Sequence, residues 1–268
     1  MRSFRSITFE ELDPATLHNP LCIIGMPGIA DIGKFAVDQL IGIFQAKKHM
    51  EIIFNDYPAG AIVEESLLST PKAEILFYID PKKRQDIILI TADAQPMTPK
   101  GVYEISDYLA TLIRRLSITR VISLGGYPTK KTKGAVKTPI YASATDPDLL
   151  IDLFEQNCKP ISKGVIIGSN GLIPSLLKAR FNIDGVVLLS ETDNAAMMNE
   201  SITDLQASID LLEFIAKYYK IPIKNAFSQQ KVEEISKDLD HKRKELEEEF
   251  EPIQPNMEIA EMNKSLYI

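Results

Sequence analysis

The chain has 268 residues, of which 45% are hydrophobic and 25% charged, and its formal net charge is -7. These values are typical of a globular protein with a sizeable core. The acidic balance argues against a general nucleic-acid binder, which needs surplus cations to displace counterions from phosphates. No apolar run approaches the roughly 18 residues that cross a bilayer, and the opening segment MRSFRSITFEELDP has no secretory apolar core. We therefore expect a cytoplasmic protein that binds neither nucleic acid nor membranes.

Short apolar runs alternate with helical patterns along most of the chain. Several runs, such as IILIT, VIIG and VVLL, are apolar throughout, as expected of strands covered on both faces. The alternation predicts an α/β fold, a three-layer α/β/α sandwich with a largely parallel sheet. The predicted strands are 21–24, 51–54, 61–63, 74–79, 86–91, 120–124, 164–167 and 185–189. The predicted helices are 32–45, 101–116, 147–156, 172–181 and 202–219.

The two cysteines belong to different predicted elements. Cys22 lies in an apolar run typical of a strand, and Cys158 follows a helical segment. Without a C-x-x-C pair, neither a zinc site nor a disulfide framework is indicated. We expect two buried or half-buried thiols in a reducing compartment.

The composition changes after the predicted globular domain, residues 1–225. Residues 226–250 are dominated by charge and predict a helix with a narrow apolar stripe at Val232, Ile235, Leu239 and Leu246. This helix either lies solvated on its own domain or pairs with another helix. Pro252 ends it, and residues 251–268 predict a flexible tail.

The segment GMPGIADIG places Gly25, Gly28 and Gly33 between an apolar strand and a helix. Backbone N–H groups at a helix start can bind an anion. The spacing matches neither the dinucleotide nor the P-loop fingerprint, and Asp31 would repel a phosphate. The alternatives are a weak anion pocket and a tight turn that holds no ligand.

Polar side chains follow other predicted strands. Asp93 and Gln95 follow strand 86–91, and Asn170 and Glu191 occupy comparable positions. Because ligands of open α/β sheets bind at strand ends, these residues predict a crevice, although such residues also cap helices. A loop with Lys130, Lys131, Lys133 and Lys137 is either a solvated loop or a site for an acidic partner.

Catalytic patterns are scarce. The histidines are His18, His49 and His241, and the chain has neither an H-E-x-x-H nor a G-x-S-x-G motif. Asp93 and Glu191 could pair for acid–base chemistry, but sequence gives no geometry for them. We predict no catalytic residues, metal ligands or cofactor, and hence no enzyme.

The chain closes on Leu266, Tyr267 and Ile268, after the proline-interrupted tail. This end offers an aliphatic side chain, a phenol that packs and hydrogen-bonds, and a carboxylate that can pair with a lysine. One such tail binds weakly, whereas several on one oligomer gain from effective concentration. The pattern predicts a docking motif.

The ordered motifs GMPGIADIG, NDYPAG, ADAQP, SLGGYPT, YASATDPDLL, GSNGLIPSLLKA and GVVLLSETDN resemble the proteasome assembly chaperone family in its archaeal form, over residues 21–223. The resemblance implies a phosphorylase/hydrolase-like fold without a demonstrated reaction, and homo-oligomers or heterodimers that assemble or cap the α-ring of the proteasome core. It also implies ATP-independent docking by a hydrophobic-Tyr-X end, here Leu266, Tyr267 and Ile268. Ala30 and Asp31 depart from the family, which often has glycines there.

Three hypotheses follow. The first is a homo-oligomeric assembly chaperone or activator whose tail binds the α subunits of the proteasome core particle. The second is a phosphorylase- or hydrolase-like enzyme that acts on a small metabolite at the strand-end crevice. The third is a scaffold that uses the helix at 229–250 to bind another helix.

Overall fold

The structure is a computed structural model that describes residues 4–64, 66–129, 137–194 and 203–223, together with Lys237. The chain divides into two units, residues 1–223 and 224–268. Apart from Lys237, the predicted helix 226–250 and the tail 251–268, with its docking motif, lie outside the described residues. Those assignments stay predictions.

One large sheet dominates the first unit. Nine strands form it in the order β1-β3-β6-β7-β2-β8-β11-β9-β10, and β4 pairs separately with β5. The strands are β1 (Phe4–Thr8), β2 (Leu21–Gly25), β3 (Lys47–Phe54), β4 (Ile62–Glu64), β5 (Leu67–Ser69), β6 (Lys72–Tyr78), β7 (Ile87–Ala92), β8 (Arg120–Thr129), β9 (Ile140–Ala144), β10 (Lys159–Pro160) and β11 (Gly185–Asp193).

The sheet is mixed rather than largely parallel. The central strands β7, β2, β8 and β11 run parallel. Antiparallel pairs flank them, from β7 through β6 and β3 to β1 on one side and between β11 and β9 on the other. A short connection joins β6 to β7 and permits only antiparallel pairing, whereas helical crossovers permit the parallel pairs.

Three helices of the described chain begin at a residue whose side chain caps the helix. The Thr98 side chain accepts a hydrogen bond from the Gly101 N–H at 3.0 Å, and Pro99 occupies the first helical position. Asp146 and Asp204 cap later helices in the same way. Among the described residues, no helix is both long enough and apolar enough to cross a membrane. The helices are α1 (Ile32–Phe44), α2 (Pro99–Arg115), α3 (Pro147–Glu155), α4 (Ser169–Phe181) and α5 (Leu205–Tyr218).

Helices cover both faces of the sheet. Cys22 and Ile88, which are register partners, pack in a core cluster with side chains of α2 and α4. Strand alternation turns Ile23 and Leu89 to the opposite face, where α1 and α5 pack together. All four side chains are buried. The predicted three-layer α/β/α fold is confirmed.

Most predicted elements are present, with one exception. The predicted strand 164–167 is wrong, because this segment pairs with no strand in the described structure. Its side chains Val165 and Ile167 are 86% and 89% exposed. Apolar composition alone mimics a buried strand, and only tertiary pairing decides between the two. The strands β1, β5, β9 and β10 were not predicted.

Both cysteines are buried free thiols, as predicted. Burial raises the pKa of the Cys22 thiol far above its usual value and that of Cys158 to about 11. Since the thiolate is the reactive form, both side chains are chemically quiet at neutral pH.

Candidate functional site

A cleft opens where the four central strands end. Because β7, β2, β8 and β11 are parallel, their carboxyl ends share one edge of the sheet, here called the carboxyl edge. The cleft has a volume of about 630 Å³, within the range of ligand-binding cavities. Its walls are the turn after β2, the start of the loop after β7, the ends of β8 and β11, and the segment 161–168 before α4.

Two glycines of the predicted anion pocket, Gly25 and Gly33, serve backbone packing, whereas a Cβ on Gly28 would meet its nearest atoms at 3.9 Å. A Cβ on Gly25 would lie 2.1 Å from the Gly33 carbonyl oxygen, and one on Gly33 would lie 2.1 Å from the Leu124 carbonyl oxygen. Because neither glycine has a Cβ, the first turn of α1 can lie directly on β2 and β8. The close approach accounts for both glycines without a ligand.

The turn before α1 has an unusual backbone. Ala30 and Asp31 both have positive φ, 52° and 47°. Left-handed geometry costs a non-glycine residue about 1–2 kcal/mol, which explains why glycine suits these two positions in the family that the sequence resembles. This chain keeps the turn with other residues.

Two amide side chains hold the turn after β2. The Asn170 Oδ1 accepts from the Met26 N–H at 3.0 Å, and its Nδ2 donates to the Met26 carbonyl at 3.1 Å. The Gln95 Nε2 donates to the Pro27 carbonyl at 2.9 Å, and its Oε1 accepts from the Ser169 N–H at 3.4 Å. The amide oxygen and nitrogen of both side chains are therefore engaged in hydrogen bonds within the protein.

The structure brings together three of the five residues predicted for the pocket. Gly28, Gly33 and Gln95 line the cleft, and Gly25 lies behind Gly33. Asp93 instead pairs with the β6 side of the sheet, where its Oδ2 accepts from the Lys72 N–H at 3.0 Å.

The proposed carboxylate pair is not assembled. Asp93 follows β7 and Glu191 lies in β11, and the two strands are three inter-strand spacings apart, roughly 14 Å. Glu191 is buried and accepts from the Tyr141 hydroxyl at 3.4 Å, while Tyr127 stacks on Tyr141. The pKa of Tyr141 is raised, first by burial and then by Glu191. The two carboxylates cannot act on one substrate atom.

The cleft is mainly apolar. Its walls consist of glycine backbone and side chains such as Met26, Ile29, Val102 and Leu189. Among the described lining residues, Lys163 is the one with a formally charged side chain. No group of three His, Cys, Asp or Glu residues in the described ranges could hold a metal ion. This arrangement suits an apolar guest and offers little to a phosphate.

Sequence reasoning missed the apolar walls of the cleft. The segment 161–168, predicted in part as a strand, forms one wall. Of the basic loop, Lys137 forms an ion pair with Glu213 at 2.9 Å, which raises the pKa of the lysine. Lys130, Lys131 and Lys133 lie outside the described residues. The sequence signal for this wall was the apolar run 165–167. The hydrophobic periodicity of a sequence does not show whether such a run is buried or exposed.

We expect Asn170→Asp to destabilise the protein in a pH-dependent way. At pH 7 the introduced carboxylate cannot donate to the buried Met26 carbonyl, and the free energy of unfolding falls by about 2–3 kcal/mol. Burial and the carbonyl raise the pKa of the introduced carboxyl above its unfolded value, so its stability contribution is greatest at low pH and is lost as pH rises. Urea unfolding at pH 5 and pH 7, referred to wild type at each pH, measures this difference.

Ser123→Ala is the control for this prediction. The Ser123 hydroxyl donates to the Asn170 Oδ1 at 3.3 Å, a longer bond than those to Met26. Its loss should cost less than about 1 kcal/mol at both pH values. Equal destabilisation by Asn170→Asp at pH 5 and pH 7 would contradict the role of the amide as a donor.

Solved structures share this fold. The crystal structure of PbaB from Pyrococcus furiosus, described as an archaeal proteasome activator, matches with a TM-score of 0.75 at 23% identity, covering 92% of this chain and 100% of that one. PbaA from the same organism, described as an archaeal homolog of proteasome-assembly chaperone, matches with a TM-score of 0.69 at 18% identity and full coverage of both chains. The protein is therefore of the same structural class.

Sequence comparison gives the family. The model of the PAC2 family matches residues 22–249, and the chain belongs to this family. The uncharacterized protein MJ1210 of Methanocaldococcus jannaschii is 29% identical over 189 residues, which cover 69% of this chain and 70% of that protein. The predicted family resemblance is confirmed for the body of the chain.

Proposed function

We propose that this protein binds the proteasome core particle in the cytoplasm, as an assembly chaperone or activator that needs no ATP. The observation that carries the proposal is a hydrophobic-Tyr-X sequence, Leu266, Tyr267 and Ile268, that follows a PAC2-family body. The similarity to PbaB, an archaeal proteasome activator, and to PbaA, an archaeal homolog of proteasome-assembly chaperone, supports a proteasome partner.

The tail supplies the recognition chemistry. With Ile268 as the carboxyl terminus, its carboxylate pairs with a lysine between neighbouring α subunits, Tyr267 anchors in the groove, and Leu266 fills apolar space. A tripeptide this small binds weakly by itself. We propose a homo-oligomer, because several tails on one body raise the overall affinity by about 10²–10⁴.

Independence from ATP is supported by the turn after β2. Gly25 and Gly33 are required by backbone packing, and the side chains of Gln95 and Asn170 are engaged with the turn itself. A nucleotide would find one formal positive charge, Lys163, among the described lining residues. The same features weigh against the alternative of an enzyme acting on a phosphorylated metabolite.

We expect deletion of residues 266–268 to abolish capture of purified core particle by the immobilised protein. The shortened chain keeps its globular body, so its thermal unfolding should match that of the full chain. Binding is measured without nucleotide at several salt concentrations, since a charge pair weakens as salt rises. Equal capture by both proteins would exclude tail docking.

A further inference from the structure

Exposed apolar side chains concentrate at the carboxyl edge. Six large ones in the described residues are at least 64% exposed, and the others are at most 56% exposed. All six lie in segments that follow β3 or β7 or precede α4, at the end of the domain where the parallel strands stop. Large apolar side chains exposed together at one edge of a domain are typical of interaction sites. The six are Val63, Leu67, Leu68, Met97, Val165 and Ile167.

The first part of this surface is the hairpin formed by β4 and β5. Leu67 and Leu68 are neighbours in a strand, so their side chains point to opposite faces, yet they are 73% and 75% exposed. The hairpin therefore projects without burying either face on its own domain. Its two strands pair only with each other within the described chain. An isolated two-stranded hairpin is marginally stable in water, so a covered face would stabilise it.

The second part is the cleft itself. Val165 and Ile167 stand on its rim, and Met26 and Leu189 lie inside it. The side-chain amides of Gln95 and Asn170 already bond within the protein, so filling the cleft with apolar groups leaves them satisfied. The cleft therefore favours an apolar guest, and displacing water from its walls is favourable.

The hairpin and the cleft occupy different places along one edge. The hairpin connects β3 to β6, whereas the cleft lies over β2, β8 and β11, and no described hairpin residue lines it. Their charges are opposite. The hairpin segment 62–69 contains Glu64 and Glu65 and no cation, and Lys163 lies at the cleft. The two surfaces are thus complementary in polarity and charge but separated within one chain.

We propose that the hairpin of one copy of this chain inserts into the cleft of the next copy. Because the two surfaces differ, the contact is head-to-tail, and repeating it gives a ring when the rotation between copies closes. The cleft side supplies 21 lining residues, which is comparable to one side of a standard interface of about 20–30 residues, and the hairpin segment 62–69 fills part of it from the other side. The inference rests on the proposed function, because a ring presents several tails to one partner.

Two variants of the full chain test this contact. The hairpin variant combines Leu67→Glu with Leu68→Glu, and the cleft variant combines Val165→Glu with Ile167→Glu. All four side chains are highly exposed, so each variant should keep the native fold, with a far-ultraviolet circular dichroism spectrum like that of wild type. The control is Ile151→Glu, an exposed apolar position on α3 away from both surfaces.

Light scattering coupled to size exclusion at micromolar concentration gives the outcome. We expect wild type and the Ile151→Glu control to be oligomeric and each double variant to be monomeric. An equimolar mixture of the two variants should form one-to-one dimers, because one copy retains a working cleft and the other a working hairpin. A monomeric wild type, oligomeric variants or a mixture that stays monomeric would each overturn the proposal.

Failure of this contact is distinguishable from failure of proteasome binding. If the variants remain oligomeric while deletion of residues 266–268 abolishes capture of core particle, the hairpin contact alone is wrong. If the variants become monomeric and recombine while wild type fails to capture core particle, the proteasome partner alone is wrong. If the hairpin variant loses capture although wild type is monomeric, the exposed surface contacts the proteasome instead of a second copy.

Discussion

Gly33→Ala should destabilise this protein by about 3–5 kcal/mol, at the upper end of single-residue effects. The new Cβ would lie 2.1 Å from the Leu124 carbonyl oxygen and 2.7 Å from its carbon, so α1 must move away from the sheet. Neither group is the end of a flexible side chain, and the strain cannot be relieved by a rotamer change. Urea unfolding followed by far-ultraviolet circular dichroism measures the loss.

The same helix provides a matched control. Gly42 lies in α1, is exposed, and a Cβ there would meet nothing within 4 Å. Gly42→Ala should therefore stabilise the protein by about 0.5–1 kcal/mol, because alanine loses less backbone entropy in a helix. Opposite signs for the two substitutions are expected. Gly33→Ala without a measurable loss would mean that α1 does not lie directly on β8.

Tyr267→Ala should abolish stimulation of a latent core particle by the full chain. Buried tyrosines are typical hot spots, and truncating one costs about 2 kcal/mol or more, roughly a 30-fold loss per tail. The losses compound when several tails bind together, so the overall affinity should fall more than about 100-fold. Peptidase activity is measured with a fluorogenic peptide, and affinity by surface plasmon resonance.

Tyr267→Phe is the control for the aromatic ring of this side chain. It retains the packing and removes the hydroxyl, so it should weaken binding less than about tenfold per tail. Binding retained by Tyr267→Ala with stimulation lost would assign an assembly role rather than gate opening. Unchanged binding and stimulation in Tyr267→Ala would contradict the anchoring role of the phenol.

The central sheet could be predicted from the sequence because its strands are covered on both faces. Runs such as IILI at 87–90 are apolar throughout, and several helices begin at capping residues such as Thr98 and Asp146. The two edge strands of the sheet, β1 and β10, could not be predicted from the sequence. β1, with the sequence FRSIT, is mostly exposed, and β10 has two residues. Edge strands bury too little to show a clear period.

The site was predicted only in outline. Glycines and polar residues that follow predicted strands indicated a site at the carboxyl edge. Of these, Gly28, Gly33 and Gln95 line the cleft. Sequence could not show that Gly25 and Gly33 serve packing, because the atoms that they contact are distant in sequence or belong to the backbone. Nor could it show that Val165 and Ile167 are exposed. An apolar residue has the same pattern whether its partner is the core or another chain.

The proposed docking through a terminal carboxylate on Ile268 is tested most directly by extending the chain past this residue. The affinity of the full chain for core particle is compared with that of a chain carrying Gly-Ser after Ile268. The matched control carries the same two residues inserted after Pro255, inside the predicted linker, where they leave the terminal tripeptide intact. Docking through the carboxylate predicts a loss of at least about 30-fold for the appended pair and less than threefold for the insertion, since removing a buried charge partner costs about 2–5 kcal/mol. Equal affinities for all three chains would contradict docking through the tail.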